Sequence, residues 1–390
     1  MVKGFKAAAV ASGLKKTGDP DLGIIYSVVP AAAAGVFTTN RVQAAPVVLS
    51  RERIRSGLCQ SIIVNSGNAN CCTGEKGMAD AAATARAAAR SLGISEDSVL
   101  VASTGVIGAP LAVERIEAAV PLLADSLSGQ GWPGFARSIM TTDTVPKTAS
   151  RSVLIGGKPC TIMAVAKGAG MIRPDMATML CFVCTDAAAE QRLLSRMLQN
   201  ACEGSFNRIT IDGDTSTNDT VLLLANGRSG SCIEGRSEEA RFQEALNELL
   251  GEMARMIVKD GEGATKLVEV AVTGAKTRVD AGKVADAVAN SSLVKTALFG
   301  EDANWGRIMA AAGRSGADLV PGSVSIWFDS VQIAANGQAV SPDAEERATE
   351  IIRRQEFTIT IDLQSGDAAA SVLTCDFSIE YVKINADYRS

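Results

Sequence analysis

The stretch "CTIMAVAKGAGMIRPDMATMLCFVCTDA" (Cys160–Ala187) reads as two strands around an irregular loop. "CTIMAVAKG" is rich in small and β-branched apolar residues, and "MLCFVCTDA" is a continuous apolar run of strand length. Between them, Gly168, Gly170 and Pro174 suit neither a helix nor a core strand. Upstream, "SVLIGG" ends in Gly156–Gly157, a pair that makes a tight turn back into Cys160. Downstream, "AAAEQRLLSRMLQNAC" (Ala187–Cys202) has helical composition. The order strand, strand, loop, strand, helix predicts sheets with helices laid over them.

The flanking sequence extends that reading. "KGMADAAATARAAARSLG" (Lys76–Gly93) predicts an alanine-rich helix with Gly93 past its end. "LAVERIEAAV" (Leu111–Val120) predicts a helix closed by Pro121. In Ser237–Val258, residues Phe242, Ala245, Leu246, Leu249, Leu250, Met253 and Ile257 form one apolar stripe at the 3.6 period, with Ser237 as N-cap. The last third brings "LVEVAVTG", "SVSIWFDSVQIAANGQ", "FTITIDL" and "AAASVLTCDFSIEYVKIN", several alternating with period 2. The terminal "YVKINADYRS" is expected to start as a strand, with Tyr381, Lys383 and Asn385 on one face. The fold class is α/β or α+β: layered sheets covered by helices, with a smaller C-terminal α/β part from about residue 265 to 390.

A chain of 390 residues suggests two or three domains. With 47% hydrophobic and 21% charged residues, the composition is that of a globular enzyme. The net charge of −5 leaves no basic footprint for nucleic acid. The start lacks a leucine-rich core for a signal peptide, and no apolar run reaches membrane-spanning length, so a cytoplasmic protein is expected. The nine cysteines are scattered and odd in number, which argues for reduced thiols. Cys181 and Cys184 form a C-x-x-C, but inside an apolar strand; they are expected to be buried rather than redox-active or metal-binding.

The chain has no histidine, which excludes Ser-His-Asp and Cys-His catalysis and histidine metal sites. "IDGDTSTND" (Ile211–Asp219) superficially resembles an acidic metal loop. Its sixth residue is Thr217 rather than glycine, and its twelfth is Leu223 rather than a carboxylate. It reads as a polar loop that bonds its own backbone, and no metal is expected. "NSGNANCCTG" (Asn65–Gly74) has turn chemistry without phosphate-loop spacing. Thr178 is either an ordinary first strand residue or a nucleophile, and spacing alone leaves both open. Without histidine, a threonine nucleophile has one ready base, its own α-amine, freed by cleavage of the preceding bond. Such an amine has a pKa of about 7.7–8.0, suited to base catalysis near neutral pH.

The loop "KGAGMIRPDMATML" resembles the cleavage motif of the ornithine acetyltransferase family, the glutamate N-acetyltransferases of the cyclic arginine pathway. "GFKAAAVASGLKKTGDPDLG", "NSGNAN", "ASTGVIG", "MTTDTVPK", "SFNRITIDGDTSTND", "DGEGATK", "GEDANWGRI" and "INADYRS" match family blocks in order, from one end of the chain to the other. The resemblance implies an arrangement like that of the N-terminal-nucleophile (Ntn) hydrolases. It implies autocatalytic cleavage of Ala177–Thr178 into an α chain 1–177 and a β chain 178–390 that starts with the nucleophile Thr178. It places the oxyanion hole at Thr104 and Gly105. It places substrate binding at Thr141, Lys167, Thr178, Glu262, Asn385 and Ser390, where serine replaces the threonine common in the family.

The implied reaction moves acetyl from N-acetylornithine to Thr178 and then to glutamate, with small amino acids as partners and no cofactor. It leaves open whether acetyl-CoA is also a donor. The implied assembly is an (αβ)₂ heterotetramer, with neither nucleic acid nor membrane as a partner. Two rival readings fit the same sequence: a self-cleaving aminopeptidase or amidase of similar architecture, and a non-catalytic binding protein that kept the fold.

Overall fold

The computed structural model describes residues 1–173 and 179–387, which divide into two compact units. The first unit contains Met1–Asn207 and Asp214–Ile257. Its strands are β1 (Phe5–Val10), β2 (Leu22–Phe37), β3 (Leu58–Asn68), β4 (Val99–Val106), β5 (Lys147–Ile155), β6 (Lys158–Lys167), β7 (Leu180–Thr185) and β8 (Thr220–Ala225). They form one sheet in the order β4-β3-β2-β8-β7-β6-β5, with β1 alongside β2. The β3–β4 and β7–β8 pairs are parallel and the others antiparallel. The helices are α1 (Ala45–Arg53), α2 (Gly74–Leu92), α3 (Val113–Asp125), α4 (Trp132–Ser138), α5 (Gln191–Gly204) and α6 (Arg236–Lys259), the last running into the second unit.

Both faces of this sheet are covered, which explains the continuous apolar runs. Successive side chains of a strand point to opposite faces. In β3, Ile62 and Val64 join a core layer with Phe135 and Phe182. Ile63, between them, joins the opposite layer with Ala81, Ala85 and Ala88 of α2 and Ile116, Val120 and Leu123 of α3. β2 and β4 alternate likewise, Ile25 and Leu100 against Ile24 and Val101. A strand buried twice over needs apolar residues at every position. Phe135 of α4 meets Phe182 edge-on at 5.6 Å between centroids.

The β5–β6 turn at Gly156–Gly157 and the strand after the loop are as expected, and both glycines have positive φ. Cys181 and Cys184 lie fully buried in β7, where desolvation pushes both thiols well above their usual range.

Three helix boundaries differ from the sequence expectation. Pro121 does not close α3 but lies inside it. Its ring faces solvent while Ile116, Val120 and Leu123 carry the packing, so burial outweighs one missing backbone bond. α5 begins at Gln191 because Ala188 is taken up by backbone bonds with Ser231 and Ile233. Ser237 falls inside α6, which begins at Arg236.

The second unit contains Arg208–Gly213 and residues 258–387 of the described chain. Its strands are β9 (Leu267–Ala275), β10 (Ser325–Phe328), β11 (Val331–Ala335), β12 (Gln338–Ala339), β13 (Glu356–Asp362) and β14 (Ala368–Cys375), in the order β12-β11-β10-β13-β9-β14. Its helices are α7 (Arg278–Ala289), α8 (Ser292–Phe299), α9 (Trp305–Gly313), α10 (Pro342–Ile352) and α11 (Ile379–Asp387). Phe357, Ile359 and Ile361 of β13 face a core shared with Val284 and Val288 of α7.

The chain end is helical rather than extended. Ser378 Oγ accepts from Tyr381 N at 3.3 Å, and Phe377 stacks on Tyr381 at 4.7 Å, a pair four residues apart that only a helix brings together. Tyr381 and Asn385 therefore share a face, and Lys383 does not.

Candidate active site

β6 ends at Lys167, which pairs in register with Leu180 where the chain re-enters the sheet. The sheet thus holds the two ends of the loop that carries Ala177 and Thr178, although those two residues lie outside the described ones. Lys167 is 3% exposed, and its Nζ donates to Thr141 Oγ1 at 2.8 Å and Thr104 Oγ1 at 3.2 Å. Three of the expected site residues, from separate segments of the first unit, therefore meet at one buried ammonium.

Gly105 adjoins Thr104 at the end of β4, in register with Gly67 of β3. Its φ of +129° is strained for any side chain, and a Cβ there would lie 2.4 Å from the Gly67 carbonyl carbon. Only glycine fits. The strand is braced next door: Asn218 Nδ2 donates to Ser103 O at 2.8 Å and to Ala69 O at 2.7 Å.

Asp143 organises the cationic side of the site. Its side chain is fully buried, and Oδ1 accepts from Lys147 Nζ at 2.8 Å and Gly168 N at 2.7 Å. Oδ2 accepts from Thr141 N at 3.0 Å and lies 4.0 Å from Lys167 Nζ. Burial pushes this carboxyl up, but the Lys167 and Lys147 charges outweigh it and hold it at about 2.

A second buried carboxyl behaves oppositely. Asp219 is 0% exposed, and its Oδ1 accepts from Met179 N at 3.0 Å. Desolvation raises it well above the usual carboxylate range, against the pull of the Met179 amide and of Lys167. Asp219, Thr104, Lys167, Met179 and Asn218 line one tight, partly open pocket without room for a free water.

In the second unit, Asn385 Nδ2 donates to Glu262 Oε2 at 2.8 Å, so these two expected residues are partners. Gly263 beside Glu262 has φ +67°, and Ser378 Oγ donates to its carbonyl at 2.6 Å. Ser390 lies outside the described residues.

The ArgJ family's sequence model matches residues 6–390. The chain belongs to the ArgJ family. It is 53% identical over 391 residues to an arginine biosynthesis bifunctional protein ArgJ from Geobacter sulfurreducens, with all of both chains covered. A relative of the same name from Syntrophotalea carbinolica is also 53% identical, covering 100% of this chain and 99% of its own. The crystal structure of arginine biosynthesis bifunctional protein argJ from Bacillus halodurans matches with a TM-score of 0.51 at 38% identity. That match covers 53% of this chain and 98% of the solved chain.

Asp143, Lys147, Asn218 and Asp219 were not singled out as site residues from sequence. Asp143 and Lys147 lie in "MTTDTVPK", and Asn218 and Asp219 in "IDGDTSTND", so the signal was charged and amide groups within matching blocks. That polar loop does bond its own backbone, Asn218 N to Ser216 Oγ at 3.0 Å, but it also reaches out to both flanks of the site. Among the described residues, no cluster of three or more cysteines and carboxylates could hold a metal ion.

Proposed function

We propose that this ArgJ-family chain is a glutamate N-acetyltransferase of arginine biosynthesis that works through an acetyl ester on Thr178. The Ala177–Thr178 bond is cut first, giving chains of residues 1–177 and 178–390. The freed α-amine of Thr178 then takes the hydroxyl proton as Oγ attacks the acetyl carbon of N-acetylornithine. Thr104 and Gly105 stabilise the resulting oxyanion, where losing one donor costs about 2.7–4 kcal/mol. The amine returns the proton to the departing nitrogen of ornithine. Glutamate repeats these steps in reverse and leaves as N-acetylglutamate.

Thr141, Lys167, Glu262, Asn385 and Ser390 bind the amino acids. Both substrates carry an α-carboxylate, for which the Lys167 ammonium is a counterion, and Glu262 suits the ammonium of ornithine. The name of these relatives, bifunctional protein, supports acetyl-CoA as a second donor. The enzyme is cytoplasmic and assembles as (αβ)₂. No described helix is long and apolar enough to cross a membrane.

The carrying observation is the buried Lys167 ammonium, bonded to Thr104 and Thr141 and opposite Leu180 in the strand register. Further support comes from the Bacillus halodurans chain, which is about half as long as this one, as 178–390 would be. Incubating the mature protein with N-acetylornithine alone should add one acetyl group to a β chain whose sequence starts Thr-Met-Leu-Cys, and initial rates should give parallel double-reciprocal plots. Intersecting plots with no acetylated β chain would overturn the covalent route.

A further inference from the structure

The two amino acids of the proposed reaction differ at their far ends. Ornithine carries an ammonium there and glutamate a second carboxylate. Lys167 suits the α-carboxylate that both share, and Glu262 suits the ornithine ammonium. Neither answers the second carboxylate of glutamate, and a carboxylate taken out of water without a partner is costly.

Lys15 is a further cation beside this site. It lies on the connection between β1 and β2, within "SGLKKTGDPD" (Ser12–Asp21). Asp21, fully buried, holds this connection in shape: Oδ1 accepts from Ser12 N at 2.6 Å and Ser12 Oγ at 2.7 Å, and Oδ2 from Lys15 N at 2.8 Å. The same residue fastens it to the site end of β3, its carbonyl accepting from Ser66 N at 2.8 Å. Ser66 is in register with Thr104, and Gly67 with Gly105. The Lys15 stem covers Gly67, where a Cβ would lie 3.4 Å from Lys15 Cγ.

Lys15 is half-buried, and among the described residues its Nζ donates to one group, the neutral Pro20 carbonyl at 3.2 Å. Burial pushes its proton affinity down, against the pull of Asp21, Asp19 and Asp143. Lys167 pushes the same way, so each ammonium feels the other. Two cations close enough to repel suit a ligand with two carboxylates, which offsets both.

We propose that Lys15 is a specificity-determining residue for the acceptor, its ammonium pairing with the side-chain carboxylate of glutamate while Lys167 meets the α-carboxylate. The inference rests on the acetyl-ester reading above. It divides the two half-reactions. N-Acetylornithine has a single carboxylate and does not need Lys15 to acetylate Thr178. Glutamate needs it to take the acetyl group away. Glutamine has almost the same shape but a neutral side-chain amide, and gains nothing from it.

Single-turnover kinetics on the mature enzyme separates the halves. Intact mass reads the rate at which N-acetylornithine acetylates the β chain, and the acetylated enzyme is then mixed with glutamate or glutamine. Lys15→Met keeps the stem over Gly67 and removes the charge. K15M should acetylate at the wild-type rate yet need about ten- to a hundredfold more glutamate for half-maximal deacetylation, the loss expected for one hydrogen bond to a charged group. The preference for glutamate over glutamine should fall by the same factor. Lys15→Arg, which restores a cation, should recover most of it.

An unchanged glutamate requirement in K15M overturns the proposal. Equal losses in both half-reactions, or with both acceptors, also overturn it, since they would place Lys15 with the shared α-carboxylate or with the fold alone. Should K15M fail to fold, Lys15→Gln carries the same comparison. A wild-type enzyme that transfers acetyl without any acetylated β chain would instead sink the acetyl-ester reading. The steady-state KM of K15M for glutamate against glutamine then decides Lys15.

Discussion

Replacing Asp143 by asparagine removes one charge from a nest that has two lysines. Asp143 Oδ1 accepts from Lys147 and Gly168, and Oδ2 from Thr141. An asparagine matches only one of those sides, and its NH₂ group must face a donor on the other. Lys147 is 1% exposed and would lose its 2.8 Å ion pair with Asp143. Breaking a buried pair from one side costs about 3–5 kcal/mol.

The titration gives an independent magnitude. Asp143 is held at about 2 against an ordinary 3.8, and at 1.36 kcal/mol per unit that is roughly 2–3 kcal/mol. Because the folded value is depressed, this stability is complete above the unfolded value and is lost as pH falls from near 4 through about 2. D143N should therefore melt roughly 6–20 °C lower at neutral pH, and the gap from wild type should close in that acid window. Scanning calorimetry across pH reads both effects. Pairing D143N with Lys147→Met should restore at least about 1 kcal/mol, since no buried ammonium then faces the neutral amide. A neutral-pH loss under about 1 kcal/mol, or strict additivity in the double variant, would refute this account of the nest.

Gly105→Ala should cripple acetyl transfer, because a Cβ 2.4 Å from the Gly67 carbonyl carbon must push β4 from β3; wild-type kcat in a folded variant would show that this approach is dispensable. Asn385→Ala leaves Glu262 without its amide donor and should raise KM for the amino acids about ten- to a hundredfold with little change in kcat, as steady-state kinetics would reveal. Native protein should react quickly at Cys72 and Cys232 alone, the two exposed thiols, and at all nine after denaturation; rapid native labelling of Cys181 or Cys184 would contradict their burial.

The fold was legible where burial leaves a one-dimensional trace. β5, β6 and β7 show as apolar runs between glycine turns, and α6 as a stripe at the helical period. Pro121 and the chain end misled for one reason: local pattern is weaker than packing and capping. Ile116, Val120 and Leu123 carry α3 past the proline, and Ser378 with the Phe377–Tyr381 stack turns an apparent alternation into α11. The site was legible only as matching blocks. No periodicity marks Lys167, whose partner Thr104 is 63 residues away, or Asp219, whose partner Met179 is 40 away.

Asp143 and Asp219, both buried in the first unit, have opposite proton affinities, and their partners account for the difference. Asp143 has two ammonium neighbours and is driven ionised; Asp219 has only neutral donors, from Met179, Thr38 and Ser216, and the pull of Lys167, and its desolvation drives it neutral. Pushing paired carboxyls apart in this way separates a permanent charge from a group that can give up a proton. Lys167 pulls on both, so a neutral replacement such as Lys167→Met moves both in the same direction, upward. Asp143 keeps Lys147 as its counterion, so most of the change falls on Asp219 and on the charge offered to substrate rather than on the nest. In a chain without histidine, the same unit thus holds one fixed anion and one neutral acid, set apart by their partners alone.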